Sequence, residues 1–158
     1  MIREAREEDF EGIARICNHY IEKTAIHFGE APVTADELRA DWRGKPEHPW
    51  WVCEEDGVLG YAKSSPWRTR AAYRFTAETG IYFSSEVIGR GLGRPLYTRL
   101  LDDLKARGFR SVVAGIALPN DPSIKMHRTL GFADVGVIRE AGFKFGKWHD
   151  VAFFQRKL

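Results

Sequence analysis

The residues Ile88-Gly89-Arg90-Gly91-Leu92-Gly93-Arg94 have the composition of an anion-binding turn. Glycines at alternating positions permit backbone conformations closed to other residues and leave N–H groups exposed. The turn follows a strand-like run, Thr79 to Phe83, and precedes a helix-like run that begins at Pro95. A helix start adds unpaired donors and the positive end of its dipole, so a phosphate or pyrophosphate suits this place. Such a turn can also do no more than connect two elements. Upstream, Arg68, Arg70 and Arg74 form a second cluster. Guanidinium groups pair carboxylates and phosphinates bidentately, which points to an acidic substrate; a solvated loop is the competing account.

Two classes of phosphate ligand are excluded. No Gly-Lys-Ser/Thr ends the turn, as a P-loop nucleotidase requires. A dinucleotide-binding domain carries its glycine motif in its first βαβ unit, whereas here several strand-like segments come first. Coenzyme A, which carries a pyrophosphate, fits the position better.

The elements that must hold these residues follow from periodicity. Residues 2–5 read as a short strand. Phe10, Ile13, Ala14, Cys17, Tyr20 and Ile21 recur at helical spacing, which predicts a helix over 7–22. Thr34-Ala-Asp-Glu37 is a capping box opening a second helix to about Arg43. Trp50 to Glu54 and Val58 to Ser64, joined at Asp56-Gly57, predict a hairpin. Phe75 to Phe83 is a further strand, followed by the glycine turn and a helix over 95–107. Ser111 to Ala117 is an apolar strand of the buried type. Asp121 as cap and Pro122 in the first turn predict a short helix ending at Gly131. Strands at about 133–140 and 148–156 close the order βααβββαβαββ. The strands near 79–83 and 111–117 should pair in parallel through the intervening helix.

At 158 residues, 44% hydrophobic and 29% charged, the chain reads as one soluble α/β domain spanning 1–158. A formal net charge of +2, with basic residues scattered, gives no case for nucleic acid. No apolar run has transmembrane length and no signal-peptide core opens the chain, so no membrane role and a cytoplasmic location are expected. Cys17 and Cys53 lack metal or redox spacing and read as buried, reduced thiols; no metal site is expected.

Several motifs together carry a resemblance. They are Gly91-x-Gly93, Val112 to Ala117, Asn120-Asp-Pro-Ser123 and Leu130-Gly131-Phe132. The chain resembles the acyl-CoA N-acetyltransferases of the GNAT superfamily. Asn18-His19-Tyr20-Ile21, Pro66-Trp67-Arg68, Leu118 to Ser123 and Gly146-x-Trp148-His149-Asp150-Val151 are similar to the phosphinothricin and methionine sulfoximine acetyltransferase subfamily. One departure is Ile88, where the family usually opens its pyrophosphate loop with Gln or Arg; Arg90 or Arg94 would supply the missing charge.

The resemblance implies a GNAT fold: a mixed, mostly antiparallel sheet with helices on both faces and a parallel central strand pair. It implies acetyl-CoA as cosubstrate and transfer to the α-amine of a small amino-acid analogue, directly within a ternary complex. Glu78 matches the subfamily's general base, and Trp67, Tyr73 and Phe75 would form an apolar wall that raises its proton affinity. Otherwise Glu78 is a solvated strand glutamate. The backbone of Ile81, Tyr82 and Phe83 would meet the pantetheine amides and offer an N–H to the developing oxyanion. Gly89, Arg90, Gly91, Leu92, Gly93 and Arg94 would hold the pyrophosphate, and Asn120 and Ser123 the pantetheine arm. His127 stands where many relatives carry the tyrosine that protonates the leaving thiolate; it also suits packing beneath Leu130. Phe28, Trp67, Arg68, Arg70, Tyr73 and Thr79 would line the substrate side. His149 suits shaping the pocket, and Asn18 and His19 either line it or support the core. Cys53 is the one cysteine weighed as a covalent carrier. A homodimer is implied, with the aromatic C-terminal strand suited to pairing. Two other functions fit the same fold: acetylation of a protein N-terminus or lysine, and a catalytically silent acyl-CoA-binding module.

Overall fold

The structure, a computed structural model, describes residues 1–158. Strand β1 (Ile2–Glu4) leads through a 3-10 turn at Glu7–Asp9 into helix α1 (Phe10–Lys23). The helix proper therefore starts later than its periodicity suggests. The Asp9 carboxylate accepts the Arg6 N–H at 2.7 Å and two Arg3 N–H groups, which winds the acidic segment tighter than an α-helix. Helix α2 (Ala35–Arg43) starts at the expected box: Thr34 Oγ1 accepts from the Glu37 N–H at 3.1 Å, and Glu37 Oε2 accepts from the Thr34 N–H at 3.2 Å.

Strands β2 (Trp50–Glu54), β3 (Val58–Pro66) and β4 (Thr76–Phe83) follow, then α3 (Gly93–Ala106), β5 (Ser111–Ala117), α4 (Asp121–Thr129), β6 (Ala133–Lys144) and β7 (Lys147–Lys157). Two boundaries differ from expectation in ways that affect the site. Helix α3 takes in Gly93 and Arg94, so the glycine turn runs straight into its first turn. Helix α4 is capped by Asn120, whose Oδ1 accepts the Ser123 N–H at 3.4 Å; Asp121 is already its first residue. The last hairpin is also longer, because Phe145 and Gly146 both take positive φ (53° and 70°) and close it tightly.

The seven strands form one sheet in the order β1-β2-β3-β4-β5-β7-β6. Only β4 and β5 run parallel. Their pairing is brief, from Thr76↔Ser111 to Glu78↔Val113. On its other edge β4 stays paired with β3 as far as Phe83, and β5 with β7 as far as Ala117. The two strands therefore diverge past Glu78 and leave a wedge in the sheet. Burial of apolar side chains covers both faces. Leu96, Tyr97, Leu100, Leu101 and Leu104 of α3 pack on Ala62, Ala77, Val112 and Phe154. Phe10, Ile13, Cys17 and Tyr20 of α1, with α2, pack on Trp50, Val52 and Tyr61. Strand alternation then assigns sides: Ala77 and Ile81 of β4 face α3, whereas Glu78 and Tyr82 face α1 and α2. Cys17 and Cys53 are buried and unlinked. No helix is long and apolar enough to cross a membrane.

Candidate active site

The wedge holds a cleft of about 320 Å³. Its walls are β4 from Thr79 to Phe83, β5 from Ala114 to Ala117, and Asn120, Ser123, Met126 and His127 around α4. Tyr20 and Ile26 close it on the α1 side, and Ile88, 66% exposed, stands at the edge nearest the glycine turn. Past Glu78 one backbone edge of β4 has no strand partner, so its amides are free for a ligand that takes the place of a strand.

The turn fits an anion. Gly89 and Gly91 take φ of +89° and +76°, and a methyl group at either would meet nothing within 4 Å. Glycine is required there for its conformation, not for space. The N–H groups of Gly91, Leu92, Gly93 and Arg94 donate to no group in the chain and open helix α3. That is a set of donors at a dipole end, the arrangement that binds phosphate. Of the two arginines beside it, Arg90 is paired with Glu55 at 3.1 Å, whereas Arg94 is exposed without a partner. Arg94 is the better placed to stand in for the side chain missing at Ile88.

A buried chain of hydrogen bonds runs along the α3 side. Thr79 Oγ1 lies 2.6 Å from Tyr97 Oη, which lies 3.2 Å from His127 Nε2, and His127 Nδ1 lies 2.7 Å from the Ser123 carbonyl. A carbonyl only accepts, so Nδ1 carries the proton and Nε2 is the acceptor. Tyr97 then donates to His127, and Thr79 to Tyr97. Burial holds the His127 pKa below its usual range, against the bond to Ser123, and pushes that of Tyr97 up. Sequence reasoning missed Tyr97, which sits among leucines on a helix face and reads as packing. It placed Thr79 on the substrate side; Thr79 stands on the cleft wall, with its hydroxyl buried against Tyr97 of α3.

Glu78 stands at the apex of the wedge, on the face covered by α1 and α2. Burial raises its pKa, and the positive charges of Lys63 and Arg68 oppose that rise without cancelling it. The expected wall around it is uneven. Trp67 packs edge-on against Phe153 at 5.8 Å, whereas Tyr73 and Phe75 are 45% and 48% exposed. Arg68 rests on the Trp67 ring at 4.6 Å and Arg74 on Phe75 at 4.5 Å; Arg70 is exposed. Phe28, from the loop between α1 and α2, lies against Gly142 and 6.1 Å from the His149 ring.

Other candidates have supporting roles. Asn18 bonds the Val33 backbone at both ends, at 2.8 Å each, and anchors the α1–α2 loop. His19 is exposed and outside the cleft, contrary to both readings of it, because it lies on the solvent side of the helix whose inner face carries Cys17 and Tyr20. His149 bonds the Lys144 carbonyl across the last hairpin at 3.0 Å. Cys53 lies in the α3-side core, with its thiol pKa raised by burial, and does not line the cleft. Tyr20 was legible only as helix packing, yet its hydroxyl bonds the Phe83 carbonyl at 2.7 Å at the cleft wall.

Comparison with known proteins gives consistent results. The acetyltransferase (GNAT) family profile matches residues 11–132. Phosphinothricin N-acetyltransferase of Streptomyces viridochromogenes is 45% identical, over 98% of this chain and 86% of its own. The L-methionine sulfoximine/L-methionine sulfone acetyltransferase of Salmonella typhimurium is 36% identical, over 99% of this chain and 94% of its own. Among solved structures, yncA from Salmonella typhimurium, an acetyltransferase with its cofactor acetyl-CoA, superposes with a TM-score of 0.96 at 35% identity, covering 100% of this chain and 93% of its own.

Proposed function

The chain belongs to the GNAT acetyltransferase family, and from that premise we propose that it acetylates the α-amine of a small amino-acid analogue of the phosphinothricin or methionine sulfoximine type, with acetyl-CoA as donor. The observation that carries this reading is the position of Glu78. It stands where the wedge opens, between a turn built for a pyrophosphate and a face lined by arginine and aromatic side chains. Relatives named for phosphinothricin and for methionine sulfoximine and sulfone support the substrate class.

Bound acetyl-CoA supplies an acetyl group activated as a thioester. The free N–H groups from Gly91 to Arg94 hold its pyrophosphate, with Arg94 adding charge, and the open edge of Ile81 to Phe83 pairs its amide arm. Asn120 and Ser123 flank that arm. Glu78 takes the proton from the substrate ammonium, since only the neutral amine attacks. Burial raises its proton affinity, the direction a base needs. Arg68 at the rim pairs the substrate carboxylate. His127 acts as a positioning residue: with Nδ1 committed to Ser123, it fixes Tyr97 and, through it, Thr79 on the cleft wall. The absence of both Cys17 and Cys53 from the cleft lining supports direct transfer within a ternary complex.

Two buried free thiols support a reducing, cytoplasmic setting. A homodimer is supported by β6, an edge strand on which Val135, Val137 and Ile138 are 62%, 43% and 54% exposed. The test of the main reading is thiol release from acetyl-CoA with phosphinothricin, methionine sulfoximine, methionine sulfone, ordinary amino acids, polyamines and peptides. Turnover of the first three is expected. In Glu78→Gln it should fall by about 10²- to 10⁴-fold in kcat while acetyl-CoA still binds. Turnover of peptides alone would move the acceptor to protein. Acetyl-CoA binding with no turnover, unchanged in Glu78→Gln, would leave a silent binding module.

A further inference from the structure

Lys63 lies on β3 between Tyr61 and Ser65, on the face of the sheet that carries Glu78. It pairs with Trp50 on one side and with Gly80 on the other, and Ser65 pairs with Glu78. Lys63 and Glu78 are thus diagonal neighbours on adjacent strands, within reach of a long side chain. Gly80, directly opposite Lys63, adds no side chain.

The Lys63 ammonium is half-buried, 4.9 Å from the centre of the Trp50 ring, and makes no hydrogen bond or ion pair within the chain. Two carboxylates act on it, Asp41 and Glu78, besides the Cys17 thiol. Asp41 is already paired with Lys45. Glu78 must remain free to take a proton. The contrast with Lys144 on the same side of the molecule is sharp. The Lys144 ammonium bonds the carbonyls of Ile21 and His27, at 2.6 and 2.5 Å, and joins the last hairpin to the end of α1. Lys144 has two carbonyl acceptors; Lys63 has the face of the Trp50 ring and no oxygen acceptor. A partly desolvated ammonium without an acceptor opposes folding, and an anionic ligand relieves that cost.

Two cations without an ion-pair partner therefore act on Glu78, Lys63 from β3 and Arg68 from the segment after it. We propose that Lys63 is a specificity residue that binds an anionic side-chain group of the acceptor, so that the enzyme favours α-amino acids bearing a phosphinate or carboxylate side chain over those with a neutral one. The α-carboxylate goes to Arg68, the amine to Glu78, and the second acidic group to Lys63. This proposal rests on the reading of the site as an amino-acid acetyltransferase.

The experiment compares phosphinothricin, whose side chain is anionic, with methionine sulfone, whose side chain is neutral, at saturating acetyl-CoA. Wild type, Lys63→Met and Lys63→Arg are assayed, with acetyl-CoA affinity and thermal melting as checks on folding. The expected result is that Lys63→Met raises KM for phosphinothricin by about ten- to a hundred-fold relative to KM for methionine sulfone, the effect of losing a charge-assisted hydrogen bond. Lys63→Arg should keep most of the preference. Turnover of both compounds with an unchanged KM ratio in Lys63→Met overturns the proposal alone. Turnover of neither by wild type overturns the amino-acid reading and takes the proposal with it.

Discussion

Glu78 is held between opposing influences: burial favours its neutral form, and the charges of Lys63 and Arg68 favour the carboxylate. Burial prevails, so kcat/KM should rise with pH through a value above that of an unperturbed glutamate and then level off. The same imbalance bears on stability. A carboxyl group whose folded pKa is raised contributes fully below its unfolded value, about 4.3, and that contribution is lost as pH rises through the folded pKa. Glu78→Gln removes the loss. Its melting temperature should exceed that of wild type at pH 7, and the two should converge near pH 4. A variant that melts lower at neutral pH would show that Glu78 is a stabilising ion-pair partner and not a strained base. At this scale, residues that act through their neighbours in sequence were legible: the glycines, Glu78 as a strand residue ahead of the turn, Asn120 ahead of its helix. The bonds among Thr79, Tyr97 and His127 were not, because they join three separate elements. Lys63 was missed for a different reason. In an alternating strand, a lysine reads as facing solvent unless the covering helices are known.

Between β4 and α3 the decisive element is the turn. Gly89 and Gly91 have open space around them, so a side chain at Gly91 costs conformation and nothing else, whereas a Cβ at Gly93 would meet the Met126 sulfur at 2.9 Å. Gly91→Ala should destabilise the protein by about 1–2 kcal/mol, the penalty for a left-handed residue. It should also raise KM for acetyl-CoA by a larger factor than KM for the amine. Equal changes in both constants would mean that the turn sets the shape of the whole site and not the grip on one ligand. The order of elements was readable because each carries a local signal: the Thr34 box, the Asp56-Gly57 turn, the leucine face of α3. Boundaries failed where two signals compete. Asn120 and Asp121 are both good caps, and proline is tolerated in either of the first positions of a helix, so the cap shifted by one residue. The hairpin closed by Phe145 and Gly146 lacks the usual Asn-Gly pair, so β6 and β7 read as too short.

In the molecule as a whole, the sheet ends on β6, which leaves a long apolar edge uncovered in a single copy. If a second copy covers it, Ile138→Glu should convert a dimer to a monomer in light scattering and lower the melting temperature, with little change in kcat. A wild-type monomer at micromolar concentration would remove the dimer from the account. The wedge itself was not legible in the sequence. Strands of ordinary composition continue past Glu78 on both sides of it, paired to β3 and β7 as far as Phe83 and Ala117, so no local signal marks where the two part.

That parting has a mechanical consequence. Across the wedge, β4 and β5 are stitched by only three residue pairs at one end. The amides beyond that seam should exchange with deuterium faster than those of β3 or β7. A cosubstrate lying along the open edge would act as a suture, slowing exchange in both halves of the sheet at once. Each turnover would then remove and replace it, so the sheet would loosen and tighten with every catalytic cycle.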